Sequence, residues 1–264
     1  MYYSELVVKR FVHSGVLPSI EENAYVVYRR GSTEAVLIDP GISPFELMDY
    51  VQTRRLTPTA VLLTHGHYDH FGGVPLIKLL WPEARIYIGG GDEPKLRDAG
   101  RNLSQMYAYP IRMPGADVLL ADHDLIRVAG FRFEVDAIPG HSCGHVVYRL
   151  RCEDRTVVFV GDVIFAGSIG ATEFSDGDFN ALLINIEQKI LTLPDETVLF
   201  PGHGKPTTVI TEKRTNPWLR FSFVHRGVPQ RDYVGNGSAR GRKKVSATIS
   251  LAETAQNGPC SELG

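Results

Sequence analysis

Cysteine is scarce, with only Cys143, Cys152 and Cys260 in 264 residues. An odd and sparse set of this kind does not suggest a disulfide scaffold. Long apolar runs are missing too. No segment is long enough to span a bilayer, and the N-terminus places Glu5, Lys9 and Arg10 where a signal peptide would need an unbroken apolar core. A cytoplasmic location is the expectation. Charge of one sign is also lacking: the net value is -2 at pH 7, which predicts no general attraction to nucleic acid or membrane. No internal repeat stands out. The hydrophobic fraction of 43% is ample for the core of one large or two small domains.

Histidine is the residue that is concentrated. The run Thr64-His65-Gly66-His67-Tyr68-Asp69-His70 packs three imidazoles and a carboxylate into six consecutive positions. Ala60-Val61-Leu62-Leu63 before it reads as a short buried strand, so the cluster sits at a strand's C-terminal end, where open α/β sheets place their sites. In an extended backbone residues two apart point the same way, and His65 and His67 can reach one metal. Asp69 and His70 are adjacent and cannot share that direction; they suit a second metal, at a turn entering the apolar helix Val74–Leu80. Imidazole with carboxylate favours zinc, iron or manganese, and the lack of nearby thiolates argues against a closed structural zinc site.

Three later segments repeat the arrangement of a strand running into a ligand-bearing turn. Phe131–Ile138 reaches Pro139-Gly140-His141, Thr156–Val160 reaches Gly161-Asp162, and Thr197–Phe200 reaches Pro201-Gly202-His203-Gly204. The glycines permit the bend that turns a strand-end side chain toward a shared centre.

Taken together, His65-x-His67-x-Asp69-His70, His141, Asp162 and His203 resemble the ligand set of the metallo-β-lactamase-fold hydrolases. Gly161–Gly170 and Pro201–Gly204 are most similar to the glyoxalase-II-like branch, and Arg214–Leu219 resembles the segment that closes its short, single-domain members. The similarity runs from Leu6 to Leu219. It implies a four-layer αββα sandwich, with residues 1–219 as the hydrolase domain and 220–264 as a basic tail beyond it.

The resemblance further implies two divalent metal ions, zinc first among the choices, with iron or manganese as the others. His65, His67 and His141 would hold one; Asp69, His70 and His203 the other, with Asp162 as bridge. Asp69 and Asp162 thus carry the catalytic assignment. Two cations would supply hydroxide near neutral pH for attack on a carbonyl, so no Ser or Cys nucleophile is required. A thioester suits this chemistry, because its thiolate leaving group has a conjugate acid of pKa roughly 8.5. A lactonase would use the same hydroxide. A persulfide dioxygenase would use one iron on His65, His141 and Asp162.

A small-molecule substrate is the expected partner. Glutathione-specific relatives commonly carry cationic and tyrosine anchors that are not matched here. Ala171-Thr172-Glu173 follow Gly170, Lys205 follows Gly204, and no helical domain is expected after Leu219.

Elsewhere the pattern predicts a hairpin of 24–28 and 35–38 about Gly31-Ser32, ended by Asp39-Pro40-Gly41. A helix is expected over 43–51, with Ser43 as N-cap, Pro44 at the first helical position and Glu46 closing a capping box. A second helix is expected over 178–191. His145 reads as a packing or supporting residue, His123 as part of a solvated turn, Cys143 as a bystander, and Tyr107 and Tyr109 as core at least as readily as pocket lining. The stretch 235–244 is basic and glycine-rich. So short a charge run is usually solvated, and no nucleic-acid partner is expected.

Overall fold

The computed structural model describes residues 5–14, 21–107, 110–152 and 156–219. The basic tail and Tyr109, with the side chain of Tyr107, lie outside them.

Short alternating and apolar segments make two six-stranded sheets from the two halves of the chain. The first holds β1 (Leu6–Ser14), β2 (Glu21–Arg29), β3 (Glu34–Ile38), β4 (Thr57–Leu62), β5 (Arg85–Gly89) and β6 (Val118–Leu120), in that order. The second contains β7 (Leu125–Val128), β8 (Phe131–Ala137), β9 (Val146–Arg151) and β10 (Thr156–Gly161). After the small hairpin β11 (Ile164–Phe165) and β12 (Ser168–Ile169), β13 (Val198–Pro201) and β14 (Thr207–Thr208) complete it in the order β14-β13-β10-β9-β8-β7. β2 and β3 pair antiparallel with Tyr28 opposite Ala35, which is the expected hairpin.

Three apolar cores separate four layers. Leu37 and Val61 of the first sheet meet Leu47 and Val51 of α1 (Phe45–Thr53) and Ile77, beyond the short α2 (Tyr68–Phe71), of α3 (Val74–Leu80). Between the sheets, Val36 and Leu62 pack with Phe133, Tyr148 and Phe159. On the far side, Val147 and Val158 meet Leu182 of α4 (Phe179–Asn185), Ile186 and Val209 of α5 (Val209–Thr215). This is the αββα sandwich. It follows from strands apolar on both faces, which must be covered on both.

The helix ends differ from expectation in one place. Pro44, not Ser43, occupies the N-cap of α1, and no side chain caps it. The reason is register: Pro44 O accepts the first helical bond from Met48 N–H at 2.8 Å, which leaves Ser43 one residue outside and breaks the spacing to Glu46. Asp178, by contrast, caps α4 by accepting from Ala181 N–H at 2.9 Å. The expected 178–191 helix then continues as a wider π turn over Ile186–Ile190. Among the described residues no helix is long and apolar enough to cross a membrane.

Candidate metal centre

All seven histidine and aspartate residues singled out from the sequence meet at one end of the sandwich. Thr64–His70 follow β4, His141 follows β8, Asp162 follows β10 and His203 follows β13. Each sits past a strand's C-terminal end because the strand stops there and a glycine-containing bend begins. Gly202 shows why glycine is needed: a Cβ there would overlap Asp162 Oδ1 and His70 Cε1, so only glycine lets the His203 loop close on the others.

Three imidazole nitrogens converge. His65 Nε2 lies 3.1 Å from His67 Nδ1, and His141 Nε2 lies 3.2 and 2.9 Å from these two. His141 Nδ1 donates to Ala171 O at 2.7 Å, so in the neutral ring Nε2 carries a bare lone pair toward the other two. Burial first, then neighbouring positive charge, holds His65 and His67 well below the ordinary histidine range. Neutral nitrogens aimed at one point fit a cation.

The second group is charged. His70 Nε2 lies 3.7 Å from Asp69 and 3.5 Å from Asp162 Oδ1, while His203 Nε2 lies 3.5 Å from Asp69 and 3.3 Å from Asp162 Oδ2. Burial opposes charge on these rings, but the carboxylates outweigh it: Asp69, Asp162 and Asp39 push His70 up to about 10, and Asp162 and Asp69 push His203 up to about 12. Asp162 would be raised by burial, yet His203 and His70 hold it well below the usual carboxylate range. This point favours positive charge whatever carries it, and a divalent cation fits where the protons sit. Among the described residues His70 Nε2 and Asp162 Oδ1 are buried with no hydrogen-bond partner, as expected of atoms that a metal would engage. Asp162 also reaches the first group, with Oδ2 3.6 Å from His141 Nε2.

Several supporting residues escaped the sequence reading. Asp39 Oδ2 lies 3.1 Å from His70 Nδ1 and accepts from Thr64 Oγ1 at 2.7 Å, while its Oδ1 accepts from Thr64 N–H at 2.8 Å. Asp92 Oδ2 accepts from Gly66 N–H at 2.8 Å and Ser142 Oγ at 2.7 Å, and its Oδ1 from Gly144 N–H at 2.8 Å. One buried carboxylate thus ties the His65–His67 loop to the His141 loop. His203 Nδ1 donates to Glu21 O at 2.6 Å. Asn23 Nδ2 donates to Pro201 O and Gly204 O at 2.9 and 2.8 Å. Both Asp39 and Asp92 follow strand ends, the signal that found the other residues.

His145 is fully buried, and its Nε2 accepts the Asp162 N–H at 3.1 Å, so it supports the centre from behind. Asp122, His123 and Asp136 also cluster, but the His123 side chain is 76% exposed, and Lys189 and Arg149 pair the two carboxylates at 2.7 and 3.3 Å. It is the solvated turn expected.

The comparisons agree with this geometry. The sequence matches the Metallo-beta-lactamase superfamily over residues 20–203. It is 35% identical over 201 residues to "Probable metallo-hydrolase YqgX" of Bacillus subtilis, covering 76% of this chain and 93% of that one. Hydroxyacylglutathione hydrolase GloC of Haemophilus influenzae is 35% identical over 191 residues, covering 70% and 87%. A solved structure of TTHA1623 in a di-iron-bound form superposes with a TM-score of 0.65 at 37% identity, covering 77% of this chain and 98% of that one. The chain belongs to the metallo-beta-lactamase superfamily.

Proposed function

We propose that the protein is a binuclear metallo-hydrolase acting on small thioesters. The observation that carries the reading is the pair of ligand groups joined by Asp162, three neutral imidazoles on one side and two histidines with Asp69 on the other. In it, His65, His67 and His141 would hold one ion, Asp69, His70 and His203 would hold the second, and Asp162 would serve both. Two divalent ions, most readily zinc, would lower the pKa of water from ~15.7 to ~7 and stabilise charge on a carbonyl oxygen.

The chain's own groups prepare that arrangement. The bonds from His141 Nδ1 to Ala171 O and His203 Nδ1 to Glu21 O fix which ring nitrogen is bare. Asp39 orients His70, and His145 fixes the backbone of Asp162. No separate nucleophile is needed. A thioester is favoured because its thiolate leaves without a general acid, and the name of the Haemophilus relative supports the same bond class.

Metal-replete protein is expected to contain about two transition-metal ions per chain by elemental analysis, since six residues divide into two groups of three and a seventh bridges. One iron per chain with oxygen consumption on a persulfide would replace this reading with the dioxygenase.

The substrate test is a panel. Ala171, Thr172 and Glu173 offer no cation beside the site, and remote binding energy exists only where residues meet the remote group. A glutathione thioester, a small acyl thioester and a lactone, compared at equal metal occupancy, should show the thioesters ahead of the lactone and little gain from glutathione. A glutathione preference above ~100-fold in kcat/KM, or ~2.7 kcal/mol, would reveal anchors and overturn this part.

A further inference from the structure

The stretch from Ala171 to Asp178 joins β12 to α4 without a strand or helix of its own, yet it is fixed along its length. Ala171 O receives the His141 Nδ1–H bond at 2.7 Å. Asp176 Oδ2 lies 2.7 Å from Lys95 Nζ and accepts from Cys143 N–H at 3.1 Å. Asp178 N–H donates to Gly140 O at 2.7 Å. Between these points the Phe174 ring stands edge-on to His67, 4.9 Å between centroids at 65°, and to His141, 5.4 Å at 87°.

Lys95 is the unusual member. Its side chain is 5% exposed, and its ammonium lies between Asp176 and Asp92, 3.4 Å from the latter. A buried ammonium is costly unless paired, and here one partner braces the ligand loops while the other holds the Phe174 loop. The Asp92–Cys143–Asp176 cluster therefore contains its own cation.

Phe174 is half-buried. The ring packs on the two imidazoles and is also partly open to solvent. On the other side of the centre, Phe165 stands 5.7 Å from His203 at 85°. Each group of histidines thus has an apolar ring beside it, Phe174 against His67 and His141 and Phe165 against His203.

We propose that Phe174, latched over His67 and His141 by the Lys95–Asp176 ion pair, is the apolar wall that receives the acyl group and gives preference to extended apolar acyl chains. Phe174 is the specificity determinant, and Lys95 and Asp176 are positioning residues. The proposal rests on the thioester-hydrolase reading, since it names the acyl half of that substrate.

Its test does not need turnover. Straight-chain carboxylates from acetate to hexanoate, titrated by calorimetry into the metal-loaded full chain, should bind roughly threefold tighter per added methylene. Phe174→Ala should flatten this to less than about 1.5-fold, and Phe174→Leu should restore most of it, because leucine keeps apolar area at the wall. Asp176→Asn should flatten the slope partly. It should also speed amide exchange at Cys143 and across 171–178, by about tenfold or more, in metal-free protein. In a double-variant cycle the Phe174→Ala and Asp176→Asn effects should not add, since both act through one ring.

A flat series in the parent protein, or an unchanged slope in Phe174→Ala, overturns the wall. An unchanged slope and unchanged exchange in Asp176→Asn overturn the latch. A steep, Phe174-dependent carboxylate series without turnover of any thioester would leave the wall standing and remove the hydrolase reading instead.

Discussion

Asp162→Ala is expected to lower kcat/KM by more than about 1000-fold, roughly 4 kcal/mol of transition-state stabilisation. Asp162 is the residue that approaches both groups, 3.5 Å from His70, 3.3 Å from His203 and 3.6 Å from His141. Removing its carboxylate takes away the shared anion and leaves Asp69 as the carboxylate beside His70 and His203. Cys143→Ala lies beside the site but contributes no ligand, and should keep activity within about one decade, ~1.4 kcal/mol. Steady-state kinetics with metal content measured on the same samples checks both. Loss of activity in Cys143→Ala with both ions retained would reverse the roles and favour covalent catalysis.

Asp92→Ala should cause the largest loss of stability, about 3–5 kcal/mol, because it leaves three buried donors without their acceptor and takes one of two carboxylates from a buried ammonium. Two backbone N–H groups and the Ser142 hydroxyl lose their acceptor together, and the Lys95 ammonium loses one of its two carboxylates, keeping Asp176. At roughly 2–4 °C per kcal/mol for a domain of this size, the melting temperature should fall by about 6–20 °C. Metal affinity should weaken by about 10–100-fold as the two ligand loops loosen. Asp122→Ala is the control. Its partner Lys189 is 2.7 Å away, but the pair lies nearer the surface and is worth about 1 kcal/mol or less. Calorimetric scans in which the two variants melt within ~2 °C of each other would show that Asp92 does not brace the loops.

The seven clustered residues were legible because they sit together at strand ends, and the same geometry explains what went unread. Asp39 follows Glu34–Ile38 and Asp92 comes shortly after Arg85–Gly89, as His141 and Asp162 follow their strands. Each of these two carboxylates stands alone among turn residues, without a histidine beside it, and so reads as punctuation. Their role appears only when residues 25 or 50 positions away are brought against them. The strands that run into the site, the β2–β3 hairpin and the helix beginning at Phe179 were readable from apolar pattern, and the α4 cap from Asp178, while β1, β5, β6 and β9 were not singled out. The α1 cap was not, because which of two adjacent residues accepts the first helical bond depends on how Pro44 is placed, by a difference no local pattern records. Glu22 is the opposite case. Its buried carboxyl, raised well above the ordinary range by burial and lacking hydrogen-bond partners among the described residues, carries no sequence signal at all.

Each sheet is assembled from one continuous half of the chain, residues 6–120 and 125–208. A ribosome therefore releases the first sheet whole before the second exists. That first half carries His65, His67, Asp69 and His70, while His141, Asp162 and His203 are still to be made. Neither group of three is complete at that stage: one waits for residue 141 and the other for residue 203. Each group takes its third member from the second sheet, so tight metal capture is deferred until the sheets have closed over Val36, Leu62, Phe133 and Phe159. A nascent chain that stalls midway holds no finished site in which to trap the wrong ion.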